Sequence, residues 1–309
     1  MLMGGDLMTP IPLVRGAMRR PGGWDPKVRL ADMDQEGMDI GVLYPTIGLT
    51  LAGVTRVDAV SALSRAYNNW LRDYCSVAPT RLIGIAAVPQ IDIWEAMTET
   101  RRAMTDLGFK GIFMRPNPVG GRTLDNPAFD PLWELLVELD VPATIHEGTS
   151  QNLPQAGMDR YDNYMFRHVI SHPHEQQMAV LSLVCGGVLE RHPKLRVAFL
   201  ESGAGWIAHW LERLDHHVKY WGHASLRLPL KPSEYFLRQC WISADPDEAI
   251  LPGIIQVLGD DNIVFASDYP HPDAKFPGVV DELALRKDLS ESSKAKILSH
   301  NAARLLKLA

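Results

Sequence analysis

The chain is poor in cysteine: Cys75, Cys185 and Cys240 are its only three, far apart and odd in number. No Cys-x-x-Cys pair occurs, so neither a disulfide framework nor a thiolate zinc knuckle is indicated, and a cytosolic setting is the expectation. An excess of positive charge is lacking too. Lys and Arg total 31 against 37 Asp and Glu, a formal charge of −6, which weighs against a nucleic-acid partner. No run approaches the roughly 20 apolar residues of a membrane span, and the opening Met1 to Met8 carries Asp6 where a signal peptide would be apolar. Two catalytic signatures, Gly-x-Ser-x-Gly and His-Glu-x-x-His, are missing, so serine hydrolases of the elbow type and zincin proteases lose most of their weight.

What is present is an alternation of short apolar runs with longer segments of helical period. The 309 residues, 46% hydrophobic, suit one large α/β domain over 1–309, with 1–23 as an irregular leading segment. The strands expected are Ile40 to Tyr44, Leu82 to Val88, Gly111 to Met114, Ala143 to His146, Arg196 to Leu200, Cys240 to Ser243 and Ile263 to Ala266. They are nearly all apolar, as strands buried on both faces are, and most end on polar or proline-bearing loops. Helices are expected over Asp58 to Ala78, Asp92 to Asp106, Pro173 to Glu190 and Ser290 to Lys307. The irregular stretch Thr149 to Arg167 contains Tyr161, Tyr164 and Phe166, and reads either as a lid or as a packed surface loop.

Ligand chemistry belongs at the strand ends of such a fold. His146 closes one apolar strand and Asp268 another, so an imidazole and a carboxylate would share one mouth, where they could hold a divalent cation or a proton. Glu201 ends a third strand, in Phe-Leu-Glu-Ser-Gly-Ala-Gly-Trp. It could ligate metal, move a proton or cap the following helix, and the glycine turn there lacks phosphate-cradle spacing. In His172-Pro-His174 a helix start would make the two rings diverge, leaving His172 to face the site or to serve as a cap. His216 and His217 read as solvated and His192 as a turn residue. Arg115, at a strand end, could grip a carboxylate with two parallel bonds or form an ion pair in the mouth.

Four blocks carry a family resemblance: Asp32-Met-Asp-Gln-Glu-Gly-Met-Asp-Ile-Gly-Val-Leu-Tyr-Pro, Gly186-Gly-Val-Leu-Glu-Arg-His-Pro-Lys-Leu-Arg-Val, Ala266-Ser-Asp-Tyr-Pro-His and Asn301-Ala-Ala-Arg-Leu-Leu. Across residues 24 to 308 the chain resembles the metal-dependent amidohydrolase superfamily, in the branch of aminocarboxymuconate-semialdehyde and resorcylate decarboxylases. The resemblance implies a (β/α)8 barrel with a divalent metal at its mouth, zinc first and manganese second. By it His146 matches the fifth-strand metal histidine and Asp268 the eighth-strand metal aspartate. It further implies loss of carbon dioxide from a small aromatic or unsaturated acid, or hydrolysis of a related compound. The substrate carboxylate would meet Arg115 or His172, with Asp268 or Glu201 handling protons.

Two departures stand out. Residues 1 to 40 contain no histidine, so the family's first-strand ligand pair is missing and the seven strands match its second to eighth. A late start or truncation is the expectation, with residues 1–23 or a partner otherwise covering the open edges. Glu201 stands where the decarboxylases carry a catalytic histidine. A metal-free, catalytically silent barrel serving as a binding subunit is the alternative reading. Trp210, Tyr220 and Trp221 among charges have the composition of a homo-oligomer interface and equally of ordinary packing.

Overall fold

The computed structural model describes residues 20–148, 153–222, 228–271 and 274–308. Within them every expected strand forms: β1 (Gly41–Leu43), β2 (Leu82–Gly84), β3 (Ala86–Ala87), β4 (Ile112–Met114), β5 (Ala143–His146), β6 (Val197–Leu200), β7 (Cys240–Ala244) and β8 (Ile263–Phe265). The run from Leu82 to Val88 is interrupted at Ile85. Its first half pairs with β1 and its second with β4, while Ile85 N still donates to the Leu43 carbonyl at 3.2 Å. All pairings are parallel and follow chain order through β8, as short crossovers through helices require.

The helices are α1 (Pro26–Glu36), α2 (Val57–Cys75), α3 (Ile93–Thr105), α4 (Asp130–Glu138), α5 (Tyr164–Cys185), α6 (Val188–Arg191), α7 (Ile207–Trp221), α8 (Pro232–Gln239), α9 (Leu251–Leu258), α10 (Val279–Ala284), α11 (Glu291–Ala295) and α12 (Asn301–Leu306). Local signals set many ends. Asp25 accepts from the N–H groups of Lys27 and Val28, Pro26 takes the first helical position, and Gly37 at φ 69° closes α1. Asp92 caps α3 through Glu95 N, and Ser290 caps α11 through Ser293 N.

One expectation is corrected. The helix assigned to Pro173–Glu190 begins nine residues earlier, capped by Asn163, and Pro173 lies inside it. Interior proline removes a backbone donor. Here the His172 and His174 rings lie beside carbonyls of that turn, at 3.1 Å from His168 O and 2.9 Å from Ile170 O. The helix also takes in the end of the Thr149–Arg167 stretch, of which 149–152 lie outside the described residues.

Residues along the strands alternate between two packings, the period-two signature of a barrel wall. Ile112, Ile145, Phe199 and Ile242 pack outward with helix residues such as Leu71, Leu132 and Leu183. Ile85, Phe113, Ala198, Leu200, Trp241 and Val264 pack inward with Leu305 and Leu306 of α12. That helix covers the N-terminal ends of the strands: Arg196, which leads into β6, donates to the Leu305 carbonyl at 2.9 Å and to Asp140 at 2.7 Å. The opposite, C-terminal mouth is left for ligands.

Among the described residues no ladder joins β1 to β8. Side chains of α1 reach instead to the segment after β8. Arg29 stacks on Tyr269 with its guanidinium carbon 4.2 Å from the ring centroid and donates to the Tyr269 carbonyl. Asp32 accepts from the Tyr269 hydroxyl, and Glu36 accepts from Gly278 N at 2.6 Å. The covering role expected for residues 1–23 lies, for 1–19, outside the described residues. No helix of the described residues is long and apolar enough to cross a membrane.

Candidate active site

His146, Glu201 and Asp268 arrive at one mouth because each sits at or just past the C-terminal end of a parallel strand. His146 is in register with inward-facing Leu200, so its ring points into the barrel, 5.6 Å from the Tyr44 ring and 6.0 Å from that of Phe113. Its Nδ1 lies 2.6 Å from the Glu147 carbonyl and 3.1 Å from a Glu201 carboxylate oxygen. The carbonyl can only accept, so Nδ1 carries the proton and Nε2 the lone pair. Burial, then repulsion from Arg115 and His271, pushes the His146 pKa down to about 4, which keeps the ring neutral as a ligand needs.

Asp268 and Glu201 share a backbone peculiarity. Their φ values are 52° and 55°, in the left-handed region, which costs a non-glycine residue roughly 1–3 kcal/mol and recurs at functional sites. Glu201 is held by its N–H donating to Ser243 Oγ at 3.0 Å. Glu201, Asp268 and His271 each bring one ligand atom to within 4.8 Å of the others, and His271 Nδ1 is 2.8 Å from Asp268 Oδ1. Two carboxylates and an imidazole converging from different loops form a donor set suited to a borderline divalent cation.

The expected pair His146 and Asp268 is thus joined through Glu201, and His271 completes the set. Reading the sequence for single residues missed His271, although it stands three places after Asp268 in the Ala-Ser-Asp-Tyr-Pro-His block. Glu147, one residue past the strand-end histidine, was also missed.

His172 faces the site as expected: it is 6% exposed and its Nε2 is 3.8 Å from Glu201 Oε1. Burial, followed by the nearby His168 and His146 rings, pushes its pKa down to about 3. His168 stacks on it at 4.1 Å. Since its Nδ1 faces the His168 carbonyl, Nε2 is an acceptor and serves a hydroxyl better than a carboxylate. His174, His216 and His217 are exposed, whereas His192 opens a turn, its carbonyl accepting from Leu195 N at 3.0 Å, and is buried against Asp130 at 3.2 Å.

Arg115 takes the ion-pair alternative. It is fully buried and bonds the carbonyls of Leu49 and Gly148 and the Asn117 side chain, with Glu147 Oε2 at 3.2 Å. With these protein acceptors around it, it is not set out to grip a substrate carboxylate. Trp210 donates to the Gln177 carbonyl at 2.9 Å, while Tyr220 and Trp221 are exposed.

The family model for amidohydrolases matches residues 8–308. A 2-amino-3-carboxymuconate-6-semialdehyde decarboxylase of Dictyostelium discoideum is 28% identical over 92% of this chain and 77% of its own length. The crystal structure of an amidohydrolase from Mycobacterium avium subsp. paratuberculosis K-10 aligns with a TM-score of 0.81 at 27% identity, over 94% of this chain and 75% of that one. A 5-carboxyvanillate decarboxylase of Novosphingobium aromaticivorans, complexed with manganese and 4-hydroxy-3-methoxy-5-nitrobenzoic acid, aligns with a TM-score of 0.73 at 29% identity, over 91% and 79% of the two chains.

Proposed function

Because the chain belongs to the amidohydrolase family, we propose that it removes carbon dioxide from a small aromatic or unsaturated carboxylic acid at a divalent metal in the barrel mouth. One observation carries the reading: Glu201, Asp268 and His271 converge within 4.8 Å, beside a neutral His146 whose Nδ1 lies 3.1 Å from Glu201.

Asp268, His271 and the Nε2 of His146 would hold the metal, with Glu201 beside them. When bound, the cation supplies positive charge that draws the acid's oxygens in and stabilises negative charge developing on them. We put manganese first and zinc second, since the Novosphingobium structure is complexed with manganese.

The chain's own groups supply the proton chemistry. Glu201, in its acid form, delivers a proton to the carbon that bears the carboxylate. The carbon–carbon bond then breaks, its electron pair returns to the unsaturated system and carbon dioxide leaves, so a hydrogen replaces the carboxyl group. Glu201 regains its proton from water. His172 Nε2 accepts from a hydroxyl of the substrate and fixes its orientation over Glu201, while Tyr44 and Phe113 flank the site and exclude water.

The test is carbon dioxide release from a panel of hydroxylated benzoic acids and unsaturated diacids, after chelation and after resupply of manganese or zinc. Activity that disappears on chelation and returns with metal supports the proposal. Full activity in metal-free protein would sink it. Hydrolysis in place of decarboxylation would appear as incorporation of labelled water oxygen without carbon dioxide. The exposed Tyr220 and Trp221 support self-association, which sedimentation would register as a mass above that of one chain.

A further inference from the structure

Arg115 and Glu147 form an ion pair whose side chains are both 0% exposed, and neither has a place in the chemistry above. Taking two ions out of water offsets most of their attraction, so such a pair adds little net stability. What it supplies is direction. The Arg115 backbone is clamped by Gln90, which accepts from Arg115 N at 2.9 Å and donates to Arg115 O at 3.1 Å. From that fixed base the guanidinium reaches Asn117 Oδ1 at 3.0 Å in its own loop after β4, and two further loops: Leu49 O at 2.9 Å after β1 and the Gly148 carbonyl after β5. Glu147 is held from the other side by Gln155 Nε2 at 2.6 Å. Asn117 in turn donates to the Pro154 carbonyl at 3.1 Å, so the loop after β5 is fastened on both sides of residues 149–152.

The consequence falls on His146. The Glu147 carbonyl that meets His146 Nδ1 at 2.6 Å lies in the peptide between the Glu147 side chain, paired with Arg115, and the Gly148 carbonyl, bonded to Arg115. We propose that Arg115 and Glu147 are positioning residues: they lock this peptide so that its carbonyl holds the Nδ1 proton of His146 and aims Nε2 at the metal. The proposal rests on the metal reading given above. Groups that orient a metal-binding imidazole are worth on the order of 10–100-fold in metal affinity, and the pair acts here without touching metal or substrate.

The experiment is titration of apo protein with Mn(II) by calorimetry and with Co(II) by its visible absorption, comparing wild type, Arg115→Lys, Glu147→Gln and the double variant Arg115→Met with Glu147→Leu. The double variant leaves no orphan buried charge, so it stays folded where the single ones fail. Expected is a cooperative melt in the double variant together with Mn(II) binding about 10–100-fold weaker and an altered Co(II) band. Wild-type affinity and spectrum in the folded double variant overturn the positioning role. A wild-type chain that binds neither ion overturns the metal reading beneath it.

Discussion

The imidazole of His146 and the carboxylate of Glu201 meet at 3.1 Å across the ends of neighbouring strands β5 and β6. Register brings the two strand ends level, since His146 pairs with Leu200, and Glu201, at φ 55°, breaks the strand alternation that would otherwise turn it outward. Glu201 therefore stands between two rings: its other oxygen lies 3.8 Å from His172 Nε2, the place from which the proposed proton transfer to substrate would run.

Glu201→Gln keeps the size of the side chain and removes the acid. Carbon dioxide release should fall by roughly 10²–10⁴-fold in kcat, the range of a lost general acid, while the thermal midpoint stays close to wild type. Steady-state assays with a melting curve decide it. An unaltered kcat would show that the proton comes from elsewhere.

The buried histidines make acid stability a second test. His172 is neutral in the folded protein down to about pH 3 because of burial and of the His168 and His146 rings, whereas in the unfolded chain it protonates near pH 6.5. The unfolded state thus binds more protons between these limits, and stability falls as pH drops through them. His172→Gln cannot take part. The advantage of wild type over this variant should shrink by about 1.4 kcal/mol per pH unit between about pH 6 and pH 4, measured by urea unfolding with chelator present. Glu147, raised to about 7 by burial against the pull of Arg115, has the opposite slope but is common to both proteins. Parallel stability curves would count against the neutral, buried His172.

How much of this was legible beforehand differs by kind of residue. All seven apolar runs became strands, because strands covered on both faces need continuous apolar sequence and say so. The strand-end residues His146, Glu201 and Asp268 were readable for the same reason: a parallel strand delivers whatever follows it to one mouth. Arg115 misled, since nothing in a sequence distinguishes a guanidinium facing ligand from one surrounded by Leu49, Asn117, Glu147 and Gly148. The start of α5 misled too. Ser171 two residues before Pro173 reads as a cap, whereas the helix is capped at Asn163 and carries the proline in its middle. His271 was visible in the Ala-Ser-Asp-Tyr-Pro-His block and unassigned, because its approach to Asp268 depends on the path of the turn between them.

That approach gives a third prediction. Asp268→Asn preserves the left-handed backbone at φ 52°, which asparagine tolerates, and removes only the charge; His271→Ala removes the neighbouring nitrogen. Since merely orienting groups are worth about 10–100-fold in metal affinity, each of these should weaken Mn(II) binding by at least that much, with the fold intact by circular dichroism. Calorimetric titration measures it. Undiminished binding in both variants would move the metal away from the Glu201, Asp268 and His271 cluster.

The far end of the barrel separates stability from chemistry. Leu305 is 3% exposed and packs among the inward residues of the strands, at the floor opposite the mouth. Its backbone carbonyl also takes the Arg196 bond at 2.9 Å, which a side-chain change leaves in place. Leu305→Ala therefore removes buried methyl groups and opens a cavity where the surrounding strands cannot collapse, a loss of about 2–4 kcal/mol. The proposed catalytic groups stand at the other ends of the same strands, so KM and kcat at low temperature should stay at wild-type values. Leu285→Ala, at a position 73% exposed, is the control and should cost less than about 0.5 kcal/mol. Chemical denaturation of the three proteins beside their steady-state constants tests this. A Leu305→Ala protein of normal stability would mean that α12 does not close the floor, and one of normal stability but altered KM would place the helix in contact with the mouth.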